Sequence, residues 1–293
     1  MPVIEVVRAG MQATIQDLGR TGFGHLGVPE AGAMDPTSLR LANRLVGNDE
    51  HAAAIEFLLG GFAIRFHCQR AFAVCGAPLE LHLNDIPVAS GQWQLARAGD
   101  LLVAGRAAYG LRSYLAVAGG IGVPAVLGSR STDTLSGLGP DPLKPGDLVP
   151  VDTPSRCAPL VNAVDFTVSS PVAEVPIRFR WGPREDRFTE GARRTLVDSV
   201  FTISSEVDRI AARLIGPTLE FAITEDLATE GLALGSIQVP PSGQPIIHLA
   251  NHPPTGGYPV VGVVATEDVV RLAQLPPGTR IRLSPLPSTM SAN

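Results

Sequence analysis

The sequence predicts a mainly β protein built as two domains with a few short helices. Three observations carry that reading. Short β-branched runs bounded by Gly, Pro, Asn or Asp recur along the chain. The 293 residues hold 31 Gly and 26 Pro, a density of breakers that disfavours long helices and favours strands joined by turns. Segments of the first half also return, in order, in the second. "ANRLVG" (42–47) matches "AARLIG" (211–216), and "YLAVAGGIGVPAVLGSRSTD" (114–133) parallels "HLANHPPTGGYPVVGVVATED" (248–268). The length suits two cores. The Pro-rich stretch 150–176 reads as the linker, which gives domains 1–165 and 166–293.

In chain order, strands are expected at 3–7, 62–66, 71–76, 100–104 and 113–119, then at 175–182, 199–204, 236–240, 245–250 and 280–284. Three segments read as helices. The first follows Asp35, a natural N-cap, with Pro36 suited to the first helical position. Leu39, Ala42 and Val46 share a face, and Gly47-Asn48 is a left-handed stop. The second runs from Ser205 to Gly216, where Ser205 and Asp208 resemble a capping box and Val207, Ile210, Ala211 and Leu214 form a stripe. The third starts at Thr266 and stops before Pro276-Pro277.

Composition excludes several functions. The formal net charge is −5 and the Arg residues are scattered rather than striped, which argues against a nucleic-acid surface. No apolar run approaches the ~18 residues of a membrane span, and the N-terminal "MPVIEVVRAG" has no basic region followed by an apolar block. Cys68, Cys75 and Cys157 are too few for a disulfide framework and fit a reducing cytoplasm, with Cys75 read as a small core residue.

Gly22, Gly24 and Gly27 spell G-x-G-x-x-G, but the helix does not open until Asp35, so a dinucleotide cradle is not expected there. The glycines read instead as a long turn that packs tightly and presents backbone N–H groups. His248-x-x-x-His252 has the spacing of a zinc helix, yet Pro253-Pro254 forbids a helix and no third ligand is evident, so no metal site is expected. "GSRST" (128–132) reads as a turn capping a short helix. The chain has neither a P-loop nor a Gly-x-Ser-x-Gly elbow.

Taken together, "TIQDLGRTGFGHLGVPEAGAMD" (14–35), "LANRLVGN" (41–48), "RSYLAVAGGI" (112–121), "VLGSRSTD" (126–133), "LKPGD" (143–147), "GPREDRF" (182–188), "EGLALGSIQVPPSGQPII" (230–247) and "TGGYP" (255–259) resemble the biotin-dependent carboxyltransferase family. That group contains the C-type subunit of bacterial ATP-dependent 5-oxoprolinase, allophanate hydrolase subunit 2 and the carboxyltransferase domain of urea carboxylase. The resemblance implies two cyclophilin-like β-barrel domains and chemistry at an amide-like carbonyl. It implies the C-type component of an ATP-dependent 5-oxoprolinase, opening 5-oxoproline to glutamate. Partners would be a smaller B-type component of the same family and an A-type component of the lactam-utilisation kind. ATP would bind through the assembly at an unassigned place, and the chain would be inactive alone. The alternatives are a carboxyltransferase or allophanate-hydrolase partner using biotin carried elsewhere, and a non-catalytic regulatory binding protein.

Such chemistry needs donors for negative charge on an oxygen and a carboxylate to manage a proton. The expected catalytic residues are Arg20, Asp35, Asp208 and Arg209, the last two from the second helix. The expected substrate-binding residues are Asn43, Gln238, Asn251, Thr255, Gly256, Gly257 and Tyr258, and both halves are expected to serve one site. The chain departs from the family pattern at Val207-Asp208-Arg209-Ile210-Ala211, where Ser-Asp-Arg-Met-Gly is usual. It departs again at Asn251, where Asp is usual, and at Pro253-Pro254-Thr255, where Gln-Thr-Thr is usual. Asn cannot take a proton as a carboxylate does.

Overall fold

The computed structural model describes residues 2–154 and 173–287. They form two compact units, one of residues 2–21 and 31–154, the other of 22–30 and 173–287. The expected boundary at 165/166 and Cys157 fall outside the described residues. The assignment of 22–30 to the second unit is a departure from simple chain order.

In the first unit a six-stranded sheet runs, in spatial order, Leu148–Pro150, Val3–Ala9, Phe62–Phe66, Leu101–Ala107, Leu79–Leu83 and Ile86–Val88. A five-stranded sheet runs Ala13–Gln16, Ala54–Leu58, Arg112–Val117, Arg70–Gly76 and Trp93–Ala96. Every residue of Arg112–Val117 is buried because both its faces are covered. Leu115 and Val117 join a core with Ile4, Ile64 and Phe66, while Tyr114 and Ala116 pack with Leu39, Ala42 and Leu45 of the helix Pro36–Leu45. That double burial explains why its Tyr114–Val117 portion reads as a continuous apolar run rather than an alternating one. The helix starts as expected: Asp35 accepts the Ser38 N–H at 3.0 Å, and Pro36 opens it.

In the second unit seven strands close into a barrel: Val175–Trp181, Val260–Val264, Ser236–Gln238, Ile246–His248, Ala211–Ile215, Val200–Val207 and Arg280–Pro285. Closure comes from a parallel pairing of Val175–Trp181 with Arg280–Pro285. A short ladder, Glu230–Gly231 with Thr255–Gly256, stands beside it. The mainly β class and all ten expected strands are present, along with the short helix Thr266–Leu272.

The helix expected at 205–216 is not there. Val200–Val207 and Ala211–Ile215 are antiparallel strands joined by a tight turn. Ala212 and Leu214 are buried while Arg213 and Ile215 are exposed, a period of two. Asp208 therefore caps a turn, its Oδ1 accepting the Ile210 N–H at 2.7 Å and the Ala211 N–H at 3.0 Å. "ANRLVG" ends a helix and "AARLIG" lies on a strand, so that pair of segments is not structurally equivalent. A helix not expected from the sequence lies at Glu190–Asp198, capped by Thr189. Its polar face hid it, for only Ala192 and Leu196 are buried.

The glycine turn also differs from expectation. Gly24–Leu26 is a single 3-10 turn, in which the Leu26 N–H donates to the Phe23 carbonyl and the following Gly27 N–H to the Gly24 carbonyl. A Cβ at Gly22, Gly24 or Gly27 would meet nothing within 4 Å, so none of them serves close packing, while Gly22 and Gly27 adopt positive φ. The close approach is at Gly32, where a Cβ would fall 2.8 Å from the Gly19 nitrogen.

Candidate functional site

Around Arg20 the first unit buries a polar network drawn from distant segments. The Asp17 carboxylate accepts four donors. Ser129 Oγ and Ser131 Oγ each donate to Oδ1 at 2.6 Å, with the Gly19 N–H at 2.8 Å. The Arg130 N–H donates to Oδ2 at 2.6 Å. The "GSRST" segment is thus clamped onto Asp17, and it does not cap a helix. Arg20 Nη2 donates to the Ser131 carbonyl at 2.5 Å, and its Nη1 lies 3.8 Å from Asp133 Oδ2, outside hydrogen-bond range. Arg20 is 1% exposed, yet its Nε and Nη1 have no hydrogen-bond partner. Burial lowers its pKa from the ordinary arginine value, opposed by the charges of Asp133 and Asp17.

Asp35 belongs to a second network. Ser38 donates to it from N and from Oγ, at 3.0 and 2.6 Å. The Asp35 N–H donates to Tyr114 Oη, and Tyr114 Oη donates to Glu56 Oε2, both at 2.7 Å. Glu56 Oε2 also accepts the Met34 N–H at 3.0 Å, and Arg112 lies 3.6 Å from Oε1. Burial pushes the Tyr114 phenol well above its usual pKa, reinforced by the charges of Glu56 and Asp35, so the phenol stays a donor. Cys75 is buried beneath this helix, and burial followed by the Asp35 charge raises its thiol to about 12, which fits the expected packing role.

The structure sets 17–20 beside 31–35, for the Ala33 N–H donates to the Asp17 carbonyl at 2.9 Å. Asn43 is not part of that grouping. It sits eight residues along the helix, about 12 Å at 1.5 Å per residue. Its side chain donates to the Ala52 carbonyl at 2.7 Å and accepts from Asn48 at 3.0 Å.

In the second unit the predicted residues fall into two groups, Gln238 with Gly256 and Tyr258, and Arg209 with Asn251. Gln238 Nε2 donates to the Tyr258 carbonyl, and Gln238 Oε1 pairs with His248 Nε2, both at 2.8 Å. Gly256 abuts Gln238: a Cβ there would lie 2.6 Å from its Nε2. His248 pairs across the ladder with Ala211, and the Asn251 N–H donates to the Arg209 carbonyl at 2.9 Å. Arg209 and Asn251 are buried, whereas Asp208, Thr255, Gly257 and Tyr258 are exposed. His252 stands edge-on to His248, ring centroids 6.1 Å apart, with its Nδ1 2.8 Å from the Pro253 carbonyl. Among the described residues no three His, Cys, Asp or Glu side chains gather as a metal site would require.

Sequence reasoning missed Asp17, Tyr114, Ser129 and Ser131 as site-building residues, took Glu56 only as a tie between helix and sheet, and took up His248 only for its spacing to His252. Asp17 and Ser131 are 114 positions apart, and no local pattern joins them. A cue existed at Glu56, an acidic residue inside an otherwise apolar strand, which demands buried partners.

The family described as "Carboxyltransferase domain, subdomain A and B" matches residues 26–285. The chain is 38% identical to the C-type subunit of 5-oxoprolinase from Escherichia coli, over 95% of this chain and 90% of that protein. It is 36% identical to the C-type subunit of 5-oxoprolinase from Haemophilus influenzae, over 96% and 90%. The solved urea amidolyase of K. lactis superposes with a TM-score of 0.90 at 31% identity, over 97% of this chain and 19% of that one.

Proposed function

This chain belongs to the carboxyltransferase domain, subdomain A and B, family, and from that membership we propose that it acts as the C-type subunit of an ATP-dependent 5-oxoprolinase, contributing to hydrolytic opening of 5-oxoproline to glutamate. The carrying observation is the match to two proteins of that name along 90% of their length.

The chemical case rests on Arg20. Opening a lactam develops negative charge on the carbonyl oxygen. A buried guanidinium with unspent N–H donors stabilises such charge most effectively where water is excluded. Asp17, through the 129–131 segment, holds Arg20 in place. Within the second unit, the exposed 255–258 segment, which Gln238 holds at the Tyr258 carbonyl, is the proposed substrate-binding loop. Asp35 and Asp208 have carboxylate oxygens engaged in local caps, so the proposal gives the electrostatic role to Arg20. ATP and the companion A-type and B-type components belong to the assembly, and no step is routed through nucleotide on this chain.

The test is reconstitution. The chain co-purified with its genomic partners should release glutamate from 5-oxoproline with ATP, and Arg20→Lys should reduce kcat about 100-fold, the scale of losing one oxyanion donor. Full turnover by the isolated chain would refute the partnership. A complete assembly that carboxylates urea from a biotin carrier instead would establish the second reading, which the structural match to urea amidolyase favours.

A further inference from the structure

Gln238 is 5% exposed, and its amide has one workable orientation. Nε2 must face the Tyr258 carbonyl, because the reverse would set two carbonyl oxygens 2.8 Å apart. Oε1 therefore faces His248 Nε2, also at 2.8 Å, and an oxygen that only accepts requires His248 to carry its proton on Nε2. Nδ1 is left as a buried lone pair with no hydrogen-bond partner. His248 is 7% exposed, and burial, then the neighbouring His252, push its pKa down to about 4. The imidazole is thus neutral at pH 7, with one proton and one place to put it. On the far side of Gln238, Gly256 leaves no slack: a Cβ would crowd Gln238 Nε2 at 2.6 Å and Leu232 Cδ1 at 2.9 Å.

We infer that His248 is a positioning residue: its Nε2–H locks the Gln238 amide, and Gln238 in turn holds the main chain of 255–259 at Tyr258. The consequence for turnover rests on the proposed substrate-binding role of that loop; the consequence for loop order does not. The relay runs from the strand Ile246–His248 through the adjacent strand Ser236–Gln238 to the loop, so rigid barrel geometry is handed to an exposed segment. A residue at 248 without a donor leaves Gln238 Oε1 unpaired in a buried place, and the amide is then free to turn.

The experiment uses the full chain. Imidazole nitrogen NMR on the unsubstituted protein should show His248 protonated at Nε2 and bare at Nδ1 from pH 6 to pH 8. Hydrogen exchange across 255–260 should quicken about 10-fold in His248→Leu and stay within about 3-fold in His248→Gln, whose amide restores a donor, with 280–285 unchanged in both. In the reconstituted assembly His248→Leu should raise KM about 10-fold with a smaller change in kcat, and His248→Gln should recover it. A proton found on Nδ1, or unchanged exchange at 255–260 in a folded His248→Leu, overturns the inference. The tautomer is read on the native chain and needs no variant to fold. An assembly without 5-oxoproline turnover would defeat the functional reading while the NMR and exchange results still decide this one.

Discussion

Tyr114 Oη donates to Glu56 Oε2 across 2.7 Å, and the two residues are direct cross-strand neighbours in the five-stranded sheet. Tyr114 Oη also accepts the Asp35 N–H, so one phenol links the sheet to the cap of the helix laid upon it. Tyr114→Phe keeps the ring and its packing but removes both bonds. It should destabilise the chain by about 2 kcal/mol, the scale for stranding buried polar groups. Urea unfolding with an unchanged m-value would measure it.

Asp17 receives four donors, two of them hydroxyls from a segment more than 110 positions away. Asp17→Asn replaces one accepting oxygen with a donor that faces other donors. A loss of about 3 kcal/mol is expected, since charge-assisted bonds go together with the clamp on 129–131. If Arg20 acts as proposed, activity in the assembly should fall with it. Stability near that of the unsubstituted chain would show that the clamp is dispensable.

The depressed pKa of His248 makes stability depend on acid. The folded value is about 4 and the ordinary value 6.5, so below pH 6.5 the unfolded chain binds the proton more readily. The contribution is complete above pH 6.5 and is lost progressively as pH falls toward 4, by up to about 3 kcal/mol. Denaturation midpoints between pH 7 and pH 4 should therefore fall less steeply in His248→Gln than in the unsubstituted chain.

Gly256 and Gly257 form an internal control. A Cβ at Gly256 would collide with Gln238, whereas one at Gly257 would meet nothing within 4 Å. Gly256→Ala should displace the Gln238 amide and raise KM about 10-fold, while Gly257→Ala should leave both KM and stability within about 2-fold. Equal effects from the two would show that the contact at Gln238 does not matter.

Local signals were reliable where a single segment decides its own conformation. Asp35-Pro36 with Gly47-Asn48 specifies a helix by capping and stop chemistry alone, and short apolar runs such as Phe62–Phe66 form strands at the positions expected. The same logic failed at 205–216. There Val207, Ile210, Ala211 and Leu214 fit a helical stripe, but the barrel offered each strand two neighbours, and ladder hydrogen bonds outweighed intrinsic propensity.

By itself the sequence determined the mainly β class, the helix after Asp35 and the family to which the chain belongs, and it marked Arg20, Gln238 and the TGGYP segment as site candidates. These follow from periodicity, capping and motif order, which are written along the chain. Only the tertiary structure decided which polar groups are spent and which remain available. It bound Asp35, Asp208 and Asn43 into caps and loop locks, left donors on Arg20, and joined His248 to Tyr258 through Gln238. The physical reason is that a buried polar atom is satisfied by whatever the fold brings within about 3 Å, and those partners lie far apart in sequence.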